Sequence, residues 1–345
     1  MPLPFAHATE TAAARVFIVA ELGVNHDGDV SRALHLTQAA HRAGADAIKL
    51  QVFDPDALMS KACDFAAYQR DSGENAPDPR SMLARLALRD EEMRQVAAAA
   101  RALGLAVLAT PFSLSDVPRV AALGVDAVKI ASPDAVNTPL LDTAAALRLP
   151  MFIATGTCDE AELDAAAMHA LASAGCLMQC VSAYPTADGD AALGGIAALR
   201  SRFGVAVGYS DHTASEHTGA LAVAAGACVL EKHLTLDRSA PGPDHAASMD
   251  EPGFARYAAA ARAAAAAVGP RRKAALPVEL DVRRVSRQSV CTTRALPVGA
   301  TLTVDDLALK RPGTGIPAAQ LARVVGRRLA RAAAADVPLQ PGDLA

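Results

Sequence analysis

The sequence predicts a (β/α)8 barrel followed by a small second domain, and three features indicate this fold class. Eight short apolar segments alternate with segments of helical periodicity. Polar side chains follow most of the apolar segments, as they do at the carboxyl ends of barrel strands. A unit of helix, glycine and strand also recurs, because residues 43–49 (AGADAIK) resemble residues 123–129 (LGVDAVK). An open doubly wound sheet is the alternative, but no glycine-rich dinucleotide loop opens the chain.

Strands and helices follow one another in a regular order. The predicted strands cover residues 16–20, 45–51, 106–109, 126–130, 151–154, 176–181, 205–207 and 227–230. The predicted helices cover residues 30–42, 89–103, 116–123, 139–147, 159–173, 193–201, 215–225 and 252–268. Residues 54–80 contain clusters of Asp, Pro, Gly and Asn, so we expect a loop with little regular structure that forms a lid over the active site. The barrel domain is therefore assigned to residues 1–269.

The character of the sequence changes after residue 269. Residues 270–284 are basic and contain proline, and they are predicted to form a linker. Residues 285–345 contain short strands, turns and a rigid cationic loop at residues 310–315. A domain of about 60 residues is small for independent folding, so we expect it to dock onto another surface.

Composition and charge exclude several classes of function. The net charge is −4 and no block of basic residues occurs, so nucleic acid is not an expected partner. Apolar runs end well before membrane-spanning length, and residues 1–14 lack the pattern of a signal peptide. The six cysteines fit neither a zinc pattern nor a disulfide framework, so a cytoplasmic protein is expected. Two of them, Cys176 and Cys180, flank one predicted strand and are expected to fill the core.

Two histidines follow neighbouring predicted strands at matching positions. The strand at residues 205–207 leads into GYSDH at 208–212, and the strand at residues 227–230 leads into EKH at 231–233. Adjacent strands would bring His212 and His233 together at one rim. Two neutral imidazoles with open coordination positions suit a divalent transition metal. Either histidine alone is better explained as a hydrogen-bonded rim residue, and the matched placement of both favours the metal.

Two lysines are predicted to converge on an anion. Lys49 ends the second strand and Lys129 ends the fourth, with Thr110 after the third strand between them. Ammonium groups at one rim indicate a cradle for phosphate or carboxylate. One alternative is a structural network in which the lysines pair with Glu21 and other acids. Another is that one lysine forms a Schiff base with a substrate.

Seven short motifs occur in order along the chain: AELGVNH at 20–26, KLQ at 49–51, TPF at 110–112, KIAS at 129–132, GYSDHT at 208–213, EKH at 231–233 and PGPD at 241–244. Together they resemble the bacterial N-acetylneuraminate (sialic acid) synthases. The segment KRPG at 310–313 is similar to the C-terminal antifreeze-like (SAF) domain of that family. Each motif alone is weak, but their order over nearly the full chain is specific.

The resemblance implies a condensation of phosphoenolpyruvate with the open-chain aldehyde of an N-acetylated amino sugar, with release of phosphate. It implies a divalent metal held by His212 and His233, with Mn²⁺ expected and Mg²⁺ or Co²⁺ as alternatives. The residues implied to hold phosphoenolpyruvate are Lys49, Thr110, Lys129, Ser132 and Ser210. The residues implied to address the sugar are Glu21, Gln51, Tyr184 and Asp244. The family also forms a domain-swapped homodimer, in which Arg311 would enter the partner's site and bind the acetamido group.

Three positions depart from the family pattern. Asp134 stands where a glutamate is common, at a position considered for proton transfer, so either it or Glu21 would handle protons. Ala154 stands where a serine can contact phosphate, and Thr155 beside it is a candidate substitute. Ser182 replaces an asparagine of some members. These departures leave the reaction class unchanged and leave the acceptor sugar open.

We therefore predict a transferase that makes a sialic acid from phosphoenolpyruvate, N-acetylmannosamine and water. The first alternative is a legionaminic or other nonulosonic acid synthase that uses a modified acetamido sugar. A non-catalytic sugar-phosphate sensor is an alternative of another class, but it would be expected to lack a rim lysine or histidine, and none is missing. A different lyase or aldolase on the same barrel is a further hypothesis.

Overall fold

The computed structural model of the protein describes residues 16–70, 76–269 and 273–345. Eight parallel strands in this part of the chain form a closed barrel, in which neighbours follow the order of the sequence and the last strand pairs with the first. The strands are β1 (Phe17–Gly23), β2 (Ala47–Val52), β3 (Ala106–Pro111), β4 (Ala127–Ile130), β5 (Met151–Ala154), β6 (Cys176–Cys180), β7 (Ala206–Asp211) and β8 (Val229–His233). The predicted (β/α)8 barrel is thus confirmed.

Helices connect successive barrel strands and follow the last one, and most of them pack against the outer faces of the strands. They are α1 (Val30–Arg42), α2 (Pro55–Leu58), α3 (Ala67–Arg70), α4 (Pro79–Leu86), α5 (Asp90–Ala102), α6 (Asp116–Ala122), α7 (Thr138–Ala145), α8 (Asp164–Ala172), α9 (Gly194–Phe203), α10 (Thr218–Ala225) and α11 (Glu251–Val268). Helices α2 and α4 lie instead in a separate apolar cluster with Phe53. The expectation of little regular structure at residues 54–80 was wrong, because α2, α3 and the start of α4 lie there. Asp54 and Asp78, which suggested a loop, accept backbone hydrogen bonds as the N-caps of α2 and α4.

The recurrent Gly-x-Asp sequence explains how helices lead into strands. Gly44 and Gly124 adopt φ angles of 84° and 62°, a backbone conformation that favours glycine. Two residues later, Asp46 and Asp126 each accept a hydrogen bond at 2.9 Å from a backbone N–H of the neighbouring strand, β1 and β3 respectively. The same short sequence therefore ends one helix and anchors the amino end of an adjacent strand.

Alternate side chains of each strand divide into two apolar layers. Inside the barrel, Phe17 and Phe152 pack edge to face with ring centroids 6.5 Å apart. Outside it, Ile18 and its equivalents pack against the helices. In β1 the inward positions are Phe17, Val19 and then Glu21, so the inward row ends in a polar group at the carboxyl end of the strand.

The described residues divide into two compact units, one that ends at residue 269 and one that begins at residue 273. The C-terminal unit contains α12 (Leu280–Ser286), the antiparallel strands β9 (Ser289–Thr292) and β10 (Leu307–Lys310), and α13 (Leu321–Val324). Both strands and α13 contribute to an apolar core of this unit, and α12 does not. Residues 280–284 of the predicted linker thus belong to α12. No helix in the described ranges is both long and apolar enough to cross a membrane. The expectation about a signal peptide concerns residues 1–14, which lie outside the described residues.

We expect Asp126→Ala to destabilise the barrel, because the backbone N–H of Val107 loses its acceptor. A loss of about 1–3 kcal/mol would lower the Tm by roughly 2–10 °C in calorimetry. Glu91→Ala is the matched control, because it removes a carboxylate from an exposed ion pair with Arg94. Equal melting temperatures for the two variants would show that the Asp126 anchor contributes nothing.

Candidate active site

The carboxyl ends of the barrel strands open into a cavity of about 510 Å³. Side chains from distant parts of the sequence meet there because every parallel strand ends at the same rim. Of the residues predicted to form the site, the cavity is lined by Lys49, Gln51, Thr110, Lys129, Ser132, Asp134, Ser182, Tyr184, Ser210, His212, His233 and Asp244.

Three predicted site residues are not among the side chains that line this cavity. Glu21 is fully buried and contacts two cavity-lining residues, Lys49 at 2.6 Å and Gln51 at 3.1 Å. Thr155 requires a correction: its hydroxyl donates to a backbone carbonyl of β6 at 3.0 Å, and it lines a separate cavity. At the end of β5 the alternation of side chains directs Ala154, and not Thr155, into the main cavity. Arg311 is exposed directly after β10 in the C-terminal unit.

Two lysines and two glutamates form one buried network at the base of the cavity. Lys49 Nζ lies 2.6 Å from Glu21 Oε2 and 3.0 Å from Glu231 Oε1. Lys129 Nζ lies 3.4 Å from the same oxygen of Glu231, and Ser210 Oγ donates to it at 3.0 Å. The pairing of lysines with Glu21 and another acid is therefore present. It also places both ammonium groups at one cavity, as the anion cradle requires.

Burial and charge act in opposite directions in this network. Burial lowers the pKa of Lys49 to about 7, although the Glu231 carboxylate opposes the shift. Burial would raise the pKa of Glu231, but the ammonium groups of Lys129 and Lys49 hold it well below its usual range. Glu231 therefore stays ionised at neutral pH, and the positive charge that Lys49 offers to an anion falls as the pH rises through about 7.

Thr110 contributes a hydroxyl that has no hydrogen-bond partner in the described part of the chain. Its Oγ1 is buried and makes no hydrogen bond to any described residue, yet the residue lines the cavity. A buried hydroxyl left unsatisfied costs free energy, so this group is available to a ligand. Together with Lys49, Lys129 and Ser210, it forms a donor set that suits a phosphate or carboxylate.

His212 and His233 lie side by side, with ring centroids 5.6 Å apart, and the ring of Tyr184 lies 4.2 Å from that of His212. His212 Nδ1 is 2.9 Å from the Val181 carbonyl, and donation there leaves the lone pair on Nε2. Burial, reinforced by His212 and Lys49, keeps the pKa of His233 well below its usual value. His233 is therefore neutral at pH 7 and able to bind a metal.

The histidine pair fits a divalent metal with open coordination positions. His233 Nδ1 is buried and has no hydrogen-bond partner among the described residues, and Asp244 Oδ2 lies 3.8 Å away. The described ranges hold no group of three or more His, Cys, Asp or Glu side chains arranged to bind a metal. The protein would therefore supply two imidazoles, and the other positions would fall to water or substrate.

Cys180 packs in the inner apolar layer of the barrel, as expected, and it has a second role at the cavity. It lines the cavity, and its Sγ lies 3.8 Å from His212 Nδ1. Burial disfavours the thiolate, but His212, together with Ser132 and Lys129, outweighs this effect and lowers the pKa of Cys180 to about 7. Burial likewise disfavours charge on His212, and Cys180 nevertheless raises its pKa. Cys176 packs inside the barrel as expected.

Gly23 keeps three functional side chains close together. A Cβ at this position would lie 3.3 Å from Asp244 Oδ2, from Glu21 Oε1 and from His233 Nδ1. Its φ of 53° also favours glycine. No such role was predicted for Gly23, although a glycine two residues after a polar residue in a strand is a recognisable signal for close approach.

Apolar side chains line the other part of the cavity. Phe53 and Phe112 pack edge to face with centroids 6.2 Å apart, and Met82 packs in the same cluster. Leu58 and Met59 also line the cavity, so the segment predicted to form a lid does reach the site. The cavity therefore combines a charged base with an apolar surface suited to methyl groups.

A model of the NeuB family matches residues 36–273, and a model of the SAF domain matches residues 287–345. The chain belongs to the NeuB family. This membership confirms the family resemblance and makes the chain an enzyme of the transferase type. The second match confirms the C-terminal SAF domain. The match to the first model covers most of the barrel and every cavity-lining strand after β1.

Members of the NeuB family align with nearly the whole chain. The N,N'-diacetyllegionaminic acid synthase of Legionella pneumophila is 38% identical over 320 residues, which are 91% of this chain and 90% of that protein. The N-acetylneuraminate-9-phosphate synthase of Mus musculus is 29% identical, over 91% of this chain and 88% of that protein. The structure of N-acetylneuraminic acid synthetase from Leptospira borgpetersenii in complex with citrate has a TM-score of 0.69 and 29% identity, and the match covers 78% of this chain and 90% of that one. These relatives are nonulosonic acid synthases with different named products.

Replacing Lys129 with methionine should weaken the binding of phosphoenolpyruvate. The substitution keeps an unbranched side chain and removes one ammonium group from the cradle, so the affinity in calorimetric titration at pH 7 should fall by about 10- to 100-fold. Lys273→Met removes an exposed lysine outside the barrel and should leave the affinity unchanged. Identical affinities for the two variants would contradict the cradle.

Proposed function

We propose that this NeuB-family enzyme condenses phosphoenolpyruvate with the open-chain form of an N-acetylated amino sugar to give a nonulosonic acid and phosphate. The proposal is supported mainly by one observation: the two lysines that suit an anion and the two histidines that suit a metal line the same cavity. Lys49 and Lys129 approach one carboxylate oxygen of Glu231, at 3.0 and 3.4 Å. His212 and His233 stand at the same rim with ring centroids 5.6 Å apart. Such a cavity suits a phosphorylated carboxylate beside a polarised carbonyl group.

The proposed reaction forms one carbon–carbon bond and breaks one carbon–oxygen bond. C3 of phosphoenolpyruvate attacks the aldehyde carbon, and positive charge develops at C2. Water adds to C2, and a proton from this water neutralises the new alkoxide. The bond from C2 to the phosphate oxygen then breaks, C2 becomes a ketone, and the leaving phosphate takes the second water proton. Lys49 and Lys129 stabilise the phosphate and carboxylate charges throughout.

The histidine pair and the nearest carboxylates have separate tasks in this scheme. A divalent metal held by His212 and His233, Mn²⁺ by preference, would act as a Lewis acid toward the aldehyde oxygen. Asp134 lines the cavity, and burial raises its pKa although Asn137 donates to it at 3.2 Å. Glu21 is fully buried and pairs with Lys49. Asp134 is therefore the better placed group for moving protons, and Glu21 holds Lys49 and Gln51 in position.

Two acceptor sugars fit this scheme. N-acetylmannosamine is the acceptor predicted from the sequence, and a di-N-acetylated sugar is the second candidate. The second is supported by the 38% identity to an N,N'-diacetyllegionaminic acid synthase. It is also supported by the apolar side of the cavity around Phe53, Phe112 and Met82, where a second acetamido methyl group would be buried more favourably than a hydroxyl.

A homodimer and a cytoplasmic location are part of the same proposal. The resemblance that implies a domain-swapped dimer also gives Arg311 a role in binding the acetamido group of the sugar in the partner's site. The exposed guanidinium of Arg311 in the C-terminal unit is consistent with that role. Planar guanidinium groups bind amide and carboxylate oxygens through several donors at once.

A panel of acceptors tests the reaction and its specificity. The enzyme is incubated with phosphoenolpyruvate, Mn²⁺ and one N-acetylated sugar at a time, and phosphate release is measured. We expect acceptor-dependent release, with a higher kcat/KM for a di-N-acetylated sugar than for N-acetylmannosamine. Binding of phosphoenolpyruvate without phosphate release for any sugar would contradict the proposal and favour a sugar-phosphate sensor.

His233→Ala should abolish metal-dependent turnover, because it removes one of the two imidazoles at the rim. Thermal unfolding of the variant shows whether the barrel is intact. His217→Ala is the matched control: this exposed histidine precedes α10 and should be replaceable without loss of activity. Near wild-type turnover of His233→Ala, or of the wild type in a chelator, would rule out the metal role.

A further inference from the structure

Asp211 and Lys232 form a buried ion pair, and each of them immediately precedes one of the two histidines. β7 and β8 pair in register as far as Asp211 and Lys232, which form the last pair. His212 and His233 are the next residues on each chain segment. Because successive side chains of a strand point to opposite faces, the histidines line the cavity while Asp211 and Lys232 face outward, toward the helices.

The pair is completely enclosed and has several partners. Lys232 Nζ lies 3.2 Å from Asp211 Oδ1, and neither side chain is exposed. Lys232 also donates to the Thr213 carbonyl and lies 5.4 Å from the centre of the Tyr257 ring. Asp211 Oδ1 accepts from the backbone N–H and hydroxyl of Thr213, both at 2.8 Å, and Oδ2 accepts from Thr218 Oγ1 at 2.5 Å. These contacts join the end of β7, the end of β8 and α10 into one unit.

Packing between the strands and the helices does not by itself require charged side chains at positions 211 and 232. Apart from the polar groups of Thr213 and Thr218, the outer layer of the barrel is largely apolar, and a neutral pair of similar size would avoid the loss of hydration that two buried charges suffer. What the ion pair adds is a directional link across the last rung of β7 and β8. One rung earlier, Ser210 and Glu231 make a cross-strand hydrogen bond of 3.0 Å on the inner face. The strand ends are thus linked on both faces immediately before the histidines.

We propose that Asp211 and Lys232 are positioning residues that hold His212 and His233 at the separation that a shared divalent cation requires. The inference rests on the proposed metal role of the histidines. Outside the cavity, the pair cannot touch the substrate, so it acts only through the imidazoles. Groups hydrogen-bonded to metal ligands commonly tune metal affinity, and here the backbone of the two strand ends would transmit the effect.

The test measures Mn²⁺ affinity directly, without turnover. Mn²⁺ is titrated into the purified full-length protein without substrates, and the free ion is followed by its electron paramagnetic resonance signal. The double variant Asp211→Asn/Lys232→Met removes both charges together, so no unpaired charge remains buried. Its Mn²⁺ affinity should be weaker than that of the wild type by roughly 10- to 100-fold.

Two further variants separate positioning from simple stabilisation. Asp46→Ala removes a carboxylate at the opposite end of the barrel, where it binds a backbone N–H of β1 and Arg262, so it should lower the Tm and leave the Mn²⁺ affinity unchanged. Thr218→Val removes only the hydroxyl that donates to Asp211 Oδ2, so it should fold and should bind Mn²⁺ several-fold more weakly. Thr218→Val therefore tests the positioning role if the double variant does not fold.

If Asp211→Asn/Lys232→Met folds and binds Mn²⁺ with wild-type affinity, the positioning role is overturned and the proposed metal site is left intact. If the double variant does not fold, wild-type affinity in Thr218→Val has the same meaning. An equal loss of affinity in Asp46→Ala would also overturn it, because general destabilisation would then explain the effect. If the wild type binds Mn²⁺ no better than His212→Ala, the metal role and the positioning role both fail.

Discussion

The candidate site depends on the two-residue period of strands in a closed parallel barrel. Lys49 and Lys129 are flanked on both sides by residues of the outer apolar layer, such as Ile48 and Val128. A shift of one residue in either strand would exchange an inward ammonium group for an aliphatic side chain. Closure of the barrel then brings the last inward residue of each strand to one mouth, where the charged network and the histidine pair meet.

The charged network is stable in the barrel because its charges are paired. Lys49 and Lys129 are balanced by Glu21 and Glu231, and Ser210 satisfies one oxygen of the bridging carboxylate. A single buried charge would cost several kcal/mol, whereas a hydrogen-bonded cluster avoids much of that cost. The same pairing holds both ammonium groups in fixed positions before any anion arrives. Catalysis of phosphate departure benefits from such preorganised charge, since no reorganisation is needed during the reaction.

Local periodicity was enough to predict the barrel, the strand ends and the histidine pair. Two predictions failed, for Thr155 and for residues 54–80, and each failure has a physical cause. Thr155 was misplaced because one residue decides which face of β5 a side chain occupies. The segment at 54–80 was taken for loop because Asp54 and Asp78 favour loops and helix N-caps alike. The bridging role of Glu231 could not be predicted, because no sequence pattern specifies which carboxylate lies between two lysines on other strands.

The central claim is that one cavity binds a divalent cation and an enol phosphate together. The phosphorus nuclear magnetic resonance relaxation of phosphoenolpyruvate in the presence of protein-bound Mn²⁺ tests it directly, since a paramagnetic ion relaxes only nearby nuclei. The account predicts strong enhancement with the wild type and its loss when both His212 and His233 are replaced by alanine. Bound phosphoenolpyruvate whose relaxation is unaffected by bound Mn²⁺ would place the two ligands in separate sites and contradict the account.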